Sequence, residues 1–387
     1  MKKFSPSQSN IFLFVVVSFF LLTGCFSNVG KPEGTPVKME YSRLLDIVDC
    51  NGYRLVTISD PWNDDRVLHR YALVNPEDAE SKKNLWEKSP SLPKDATVIE
   101  VPLQRLCVST SVHTALMEKL GALGQVASIC ESKYILNPAV QAEIKKGRIK
   151  DVGSGLNPNV EMIAQLRTDA LLMSPFEGAS YGLLEKTGIP IVECADYMET
   201  SALGRAEWMK FYGMLVGCEA EANKLFEEVR DNYNSLKALA AKAQKHPKLL
   251  ADMLSGNTWY MPGGASCYGV LYKDAGADYS IPSDKVSGSQ PLSQESVLLG
   301  GRDADVWIIK YSRPQNFTYA SLLQENAIYN EFAPFRQHHI YGCNALLTPF
   351  YEEVPFRPDI LLKDIISILY PNLFPDYKAV YYLPLAR

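Results

Sequence analysis

The sequence predicts an α/β protein of two lobes with parallel sheets, joined by one long helix. Three observations carry this. The chain has 387 residues, and at roughly 100–200 residues per domain that length suggests two domains behind a leader. From residue 97 onward, short apolar runs alternate with segments of helical period, the pattern of a parallel sheet with right-handed crossovers. Between the two halves, residues 201–245 hold a helical stripe broken only by Gly204, Gly213 and Gly217.

The elements follow in order. Lys2 and Lys3 precede an apolar run from Ile11 to Leu22, interrupted only by Ser18. A transmembrane helix needs about 20 residues, so this run reads as the core of a signal peptide over residues 1–25. It ends in Leu22-Thr23-Gly24-Cys25, which resembles a bacterial lipobox. That likeness implies a diacylated Cys25 as the mature N-terminus, held on a membrane by its acyl chains; the tether after it has no acidic run, which favours an anchor facing the periplasm. Residues 26–37 read as a tether, small and polar with Gly and Pro.

The first lobe is expected over 38–217, with a β-rich opening at 38–101. YRLVTISDPW and VLHRYALV alternate as strands around a turn at Asn63-Asp64-Asp65. TVIEVPL, RLCVS, QVASIC, DALLMS and IPIVEC read as further strands. Helices are expected from Ser109 or Ser111 through Leu120, at 138–146, at 159–166 and at 181–187, with a loop at GSGLNP. In the connecting helix, 218–245, Ala222, Leu225, Phe226, Val229, Tyr233, Leu236 and Ala240 recur at spacings of three and four. The second lobe, 246–387, restarts the alternation. KLLADML, DVWIIKY and HHIYGCN are its strands, with helices at 268–275, 295–299, 320–326 and 358–369.

Composition narrows the chemistry. Apolar residues make up 47% and charged residues 21%, which is ordinary for a globular chain. A net charge of -5 gives no reason to expect nucleic acid. Beyond Cys25 there are seven cysteines: Cys50, Cys107, Cys130, Cys194, Cys218, Cys267 and Cys343. None forms a C-x-x-C pair, which argues against zinc ribbons and thioredoxin-type sites. An oxidising compartment permits bridges, but the odd number and the apolar neighbours favour buried free thiols.

Several stretches together resemble the binding proteins of iron-siderophore, haem and cobalamin importers. They are RLCVSTSVHTALMEKLGALGQVASI, LNPNVEMIAQLRTDALLM, LLEKTGIPIVEC, AGADYSIP, PLSQESVLLGGRDADVWII and RPDILLKDIISILYPNLFP. Their order and spacing follow that family from about residue 97 to 377; the opening 38–96 lies outside it. The resemblance implies a ligand cleft between the lobes and limited closure, because the connecting helix is stiff. It implies no resident cofactor, the metal arriving as chelated cargo. It also implies a monomer on a lipid anchor, docking onto a permease dimer with its ATPases. Glu177, in SPFEG, and Glu295, in PLSQES, fall where the family places the carboxylates that meet permease arginines. Such exposed charges fix register more than they add affinity. Glu161, in NPNVEM, is read as a first-turn residue of a helix.

Candidate ligand contacts sit at loop tips. Gly263 and Gly264 loosen NTWYMPGGASCYG, where Trp259 and Tyr260 offer rings for a flat or bulky ligand. Tyr311 and Arg313 follow the DVWIIK strand, and Arg313 suits an anionic chelate. Tyr134, Ser109 and Ser111 are the contacts expected from the first lobe. Phe350, Tyr351 and Arg357 precede the terminal helix.

Other classes fit less well. No G-x-S-x-G, H-E-x-x-H or P-loop motif occurs, and Ser109-x-Ser111-x-His113 is better explained as a helix start than as a nucleophile. Capture of a bare Zn²⁺ or Mn²⁺ needs gathered His and carboxylate ligands. Only five His are present, and His338-His339 in one strand would point to opposite faces. This absence favours a metal already chelated, and the family resemblance implies a ferric siderophore complex as cargo, with cobalamin and haem as alternatives. A surface interaction protein that transports nothing is the alternative of another class.

Overall fold

A computed structural model of the chain describes residues 34–78, 93–178 and 180–387. The signal peptide, Cys25 and most of the tether lie outside these residues. The end of the tether does not: β1 (Thr35–Val37) is a strand paired antiparallel with β2 (Leu45–Cys50), so the tether stops before Thr35.

The opening is a five-stranded sheet, larger than the hairpin expected. β3 (Tyr53–Ser59) and β4 (Val67–Val74) continue the antiparallel meander, and β5 (Ala96–Glu100) adds parallel to β4. TVIEVPL thus closes this sheet and does not open the α/β lobe. Alternation explains the packing. Leu45, Ile47, Val56, Ile58, Tyr71, Leu73 and Ile99 face the main core. Tyr53, Leu55, Ala72 and Val74 form a small cluster on the opposite face.

The first α/β lobe holds β6 (Leu106–Val108), β7 (Val126–Ile129) and β8 (Lys150–Asp151). GSGLNP, expected as a loop, forms a tight hairpin of β9 (Gly153–Ser154) and β10 (Asn157–Pro158). β11 (Ala170–Met173) and β12 (Ile191–Glu193) complete a parallel sheet ordered β12-β11-β6-β7-β8. The chain runs outward from β6 to β8 and then returns to the other side of β6. The order therefore reverses between β6 and β11.

Short helices Ala202–Glu207 and Met209–Val216 lead to Gly217, whose φ of +71° ends the second of them. The connecting helix spans Glu219–Ala240 and buries Ala222, Phe226, Val229, Tyr233 and Ala240. It packs on Met209–Val216 and on the terminal helix Pro358–Leu369.

The second lobe begins with β13 (Leu249–Ala251). Asp252 takes a φ of +59° and turns the chain out of the strand. A small sheet follows, of β14 (Leu254–Ser255), β15 (Thr258–Pro262) and β16 (Ser289–Leu292). β17 (Val306–Tyr311), β18 (Ile340–Asn344) and β19 (Leu383–Pro384) complete the main sheet, ordered β13-β17-β18-β19. Strand β18 starts at Ile340. His338 and His339 precede it, His338 with a φ of +59°, so the opposite-face argument for them does not apply.

Two buried carboxylates fasten the opening sheet to the first lobe. Glu207 accepts the backbone N–H of Glu40, Tyr41 and Ser42 at 2.8–3.0 Å, and the Lys210 ammonium at 2.7 Å. Glu199 accepts from Ser42 Oγ at 2.6 Å, from the N–H of Arg43 and Leu44 at 3.0 Å, and from Trp208 Nε1 at 3.0 Å. Gly204 makes the approach possible: a Cβ there would lie 2.9 Å from the Tyr41 carbonyl oxygen. Hydrogen bonds to charged groups contribute about 1.5–3 kcal/mol each. An amide turns one acceptor into a donor facing N–H groups, so Glu199→Gln or Glu207→Gln is expected to lose about 2–4 kcal/mol in urea unfolding. A loss under 0.5 kcal/mol would contradict this fastening.

Candidate functional site

In open α/β sheets, ligands bind outside the carboxyl ends of the strands. Here the strand ends of the two lobes meet in a cleft of about 400 Å³, lined by Tyr197–Thr200 and Arg205 from the first lobe. Asp252, at the end of β13, and Lys310, in β17, line it from the second, with Ser266, Cys267 and Tyr268.

Two cations face this space from opposite lobes. Arg205 Nε donates to Asp196 Oδ2 at 2.9 Å. Burial opposes its charge, but Asp196 more than compensates, and its pKa is raised. Behind it lies a buried chain of hydrogen bonds. Asp196 Oδ1 meets His113 Nε2 at 2.8 Å and accepts from Tyr212 Oη at 2.9 Å; His113 Nδ1 meets Thr110 Oγ1 at 2.5 Å. Burial works against a charged His113, yet the Cys194 sulfur and the Asp196 carboxylate raise it to about 10. Burial likewise opposes ionised Asp196, but His113 and Arg205 lower it to about 2.

Lys310 differs in kind. Its ammonium lies among rings, 4.9 Å from the centroid of Tyr268, 5.2 Å from Phe350 and 5.8 Å from Tyr351. Among the described residues, no carboxylate lies within 4.0 Å of it. Burial disfavours its charge, but nearby Asp252 raises its pKa. Asp252 is itself raised, chiefly by burial. The cleft floor thus holds one cation braced by a carboxylate and one caged by aromatics. A solute anion would complete the coordination of both.

Most of the contacts expected from sequence lie elsewhere. Trp259 is 0% exposed, in a core of Trp307, Tyr329 and Phe332, with Nε1 donating to the Ala251 carbonyl. It cannot stack on a ligand. Tyr260, next along β15, points outward and is 48% exposed, away from the cleft lining. Tyr311 packs edge-on against Phe317 and accepts its backbone N–H. Arg313 pairs with Glu325 at 2.9 Å and covers Phe317. Arg357 is held by Asp359 at 2.9 Å and by Glu228 of the connecting helix at 3.2 Å, which makes it a structural brace. Tyr134 is exposed on a short 3-10 turn under Lys133. Ser111 is the first residue of the helix Ser111–Lys119, with Thr110 at its N-cap. Ser109 lines a second pocket at the end of β6. Tyr351 reaches the cleft floor through Lys310, and Phe350 is buried beneath it. Glu177 and Glu295 are both exposed, Glu295 in the first turn of the helix Gln294–Gly301.

Arg205, Asp252, Lys310, Tyr197 and Tyr268 were not singled out from sequence. Lys310 had a signal: a lysine ending the apolar run Val306–Ile309 falls at a strand's carboxyl end. Arg205 had none, since its partner Asp196 lies on a separate turn.

All seven cysteines from Cys50 to Cys343 are free thiols. Among the described residues, no cluster of three or more His, Cys, Asp or Glu could hold a metal, and no helix is long and apolar enough to cross a membrane.

A family model described as periplasmic binding protein matches residues 108–346. This chain belongs to the periplasmic binding protein family. An uncharacterized lipoprotein of Methanocaldococcus jannaschii is 26% identical over 367 residues, covering 89% of this chain and 84% of that protein. The high-affinity haem uptake system protein IsdE of Staphylococcus aureus is 24% identical over 243 residues, 59% of this chain and 76% of its own. Among solved structures, the periplasmic haem-binding protein HutB of Vibrio cholerae superposes with a TM-score of 0.56 at 18% identity, over 69% of this chain and 99% of that one. Periplasmic binding proteins capture solutes and do not catalyse reactions, which sets the enzyme class aside. The opening sheet, β1–β5, lies before the matched region.

Proposed function

We propose that this periplasmic binding protein is the solute-binding component of an ABC importer. It captures an anionic iron complex of the ferric-siderophore type outside the cytoplasm, and Cys25 anchors it by lipid to the membrane. The observation that carries this reading is the convergence of Arg205 and Lys310, from opposite lobes, on one cleft. Two unlike cations over an aromatic floor suit an anionic organic shell. A bare cation would be repelled by both. The relative IsdE, named for haem uptake, favours haem as the second reading, with carboxylates of the porphyrin taking the place of the siderophore's charge.

A thermal-shift screen against ferric siderophores, cobalamin, haem and bare metal ions tests the cargo. A ligand at 100 times its Kd stabilises the fold by about 2.7 kcal/mol. Stabilisation by an anionic ferric complex alone supports the reading; stabilisation by bare Zn²⁺ or Mn²⁺ alone sinks it.

Glu177 and Glu295 are the proposed permease contacts. Replacing both with Ala is expected to leave solute affinity within twofold and to cut uptake in cells at least tenfold, since exposed charges set docking register. Unchanged uptake would remove them from the interface.

A further inference from the structure

We infer that the solute is amphipathic, with its anionic end between Arg205 and Lys310 and an apolar arm entering a second pocket at the carboxyl ends of β6 and β11. This rests on the cleft reading above and adds a demand on the ligand's shape.

The second pocket, of about 270 Å³, is lined by Ser109 and Thr110 after β6 and by Met173, Ser174 and Phe176 at the end of β11. Strand order reverses between these two strands, and the crevice at such a switch point is where open α/β sheets receive ligands. Its walls are largely apolar: Met173, Phe176, Tyr181, Leu184 and Leu156.

Three observations tie it to the cleft and to a ligand. The pockets are neighbours across one wall. Tyr197 lines the cleft and Phe176 the second pocket; their ring centroids are 6.4 Å apart, and Tyr197 Oη donates to the Pro175 carbonyl at 2.5 Å. The hydrogen-bond chain from Arg205 through Asp196 and His113 ends at Thr110, in the second pocket. At the mouth, Leu156 is 83% and Phe176 53% exposed. An apolar arm would cover both.

The test is direct titration of the purified protein with two anionic ferric tris-catecholate complexes of equal charge, one carrying an octyl chain. The expected result is at least tenfold tighter binding of the octyl complex. Ser180→Trp, at the exposed rim, and Ser174→Phe, deeper in, should each erase that advantage and leave the plain complex within twofold. Equal affinities of the two complexes for the unaltered protein would overturn the apolar subsite while the cleft reading stands. An octyl advantage that survives both folded variants would overturn it too, placing the chain elsewhere. Failure of both complexes to bind would sink the cleft reading and this inference with it.

Discussion

Lys310→Met is expected to weaken solute binding by about 100- to 1,000-fold, read by equilibrium titration. Truncating one partner of a buried, desolvated charge contact costs about 2–5 kcal/mol. A thioether fits among Tyr268, Phe350 and Tyr351 as well as an ammonium stem does, so the fold should hold while the charge is lost. Arg205→Lys should be nearly as severe. The guanidinium donates to Asp196 with Nε and lines the cleft, and its fork of donors can serve two partners where a single ammonium cannot. Affinity unchanged in both variants, with melting temperature intact, would place the solute elsewhere.

Asp196→Asn is expected to cost about 3–5 kcal/mol of stability, because it leaves His113 and Arg205 buried without their shared counter-charge. Its pH dependence has a definite sign. His113 is raised to about 10, so its contribution is complete below the unfolded value of about 6.5 and fades as pH rises through 10. Asp196 is lowered to about 2, so its contribution is complete above about 3.9 and fades as pH falls through 2. The gap between wild type and Asp196→Asn should therefore be widest from about pH 4 to 6.5, and narrow on either side. A gap independent of pH would mean that the pair is not ionised in the folded state.

Burial decided which parts of the molecule were legible in the sequence. The connecting helix was legible because Ala222, Phe226, Val229 and Tyr233 repeat at helical spacing against a continuous core. Strand β17 and the helix Pro358–Leu369 carried equally plain patterns. The opening sheet was underestimated because β1 is short and β2 was not read as a strand, and because the pairing of β5 with β4 leaves no local trace. Trp259 and Tyr260 show the limit for the site. Alternation along β15 requires one ring inward and one outward, but nothing local says that the inward face is core and that neither side is cleft. Arg313 and Arg357 satisfied the chemistry sought, yet Glu325 and Glu228 had already claimed them. Both pairings join residues brought together only by the fold.

The fastening of β1–β5 also bears on the site. Glu199 binds Ser42, Arg43 and Leu44 on one side and lines the cleft on the other, beside Thr200 and Arg205. The opening sheet, outside the matched family region, therefore buttresses the wall that carries one of the two cations.

The most direct measurement is native mass spectrometry of the protein purified, still loaded, from the envelope of the cells that make it. The expected result is a single adduct whose mass and isotope pattern report iron within an anionic organic complex, lost from Lys310→Met. A bare metal ion, or an organic molecule without metal, would contradict it.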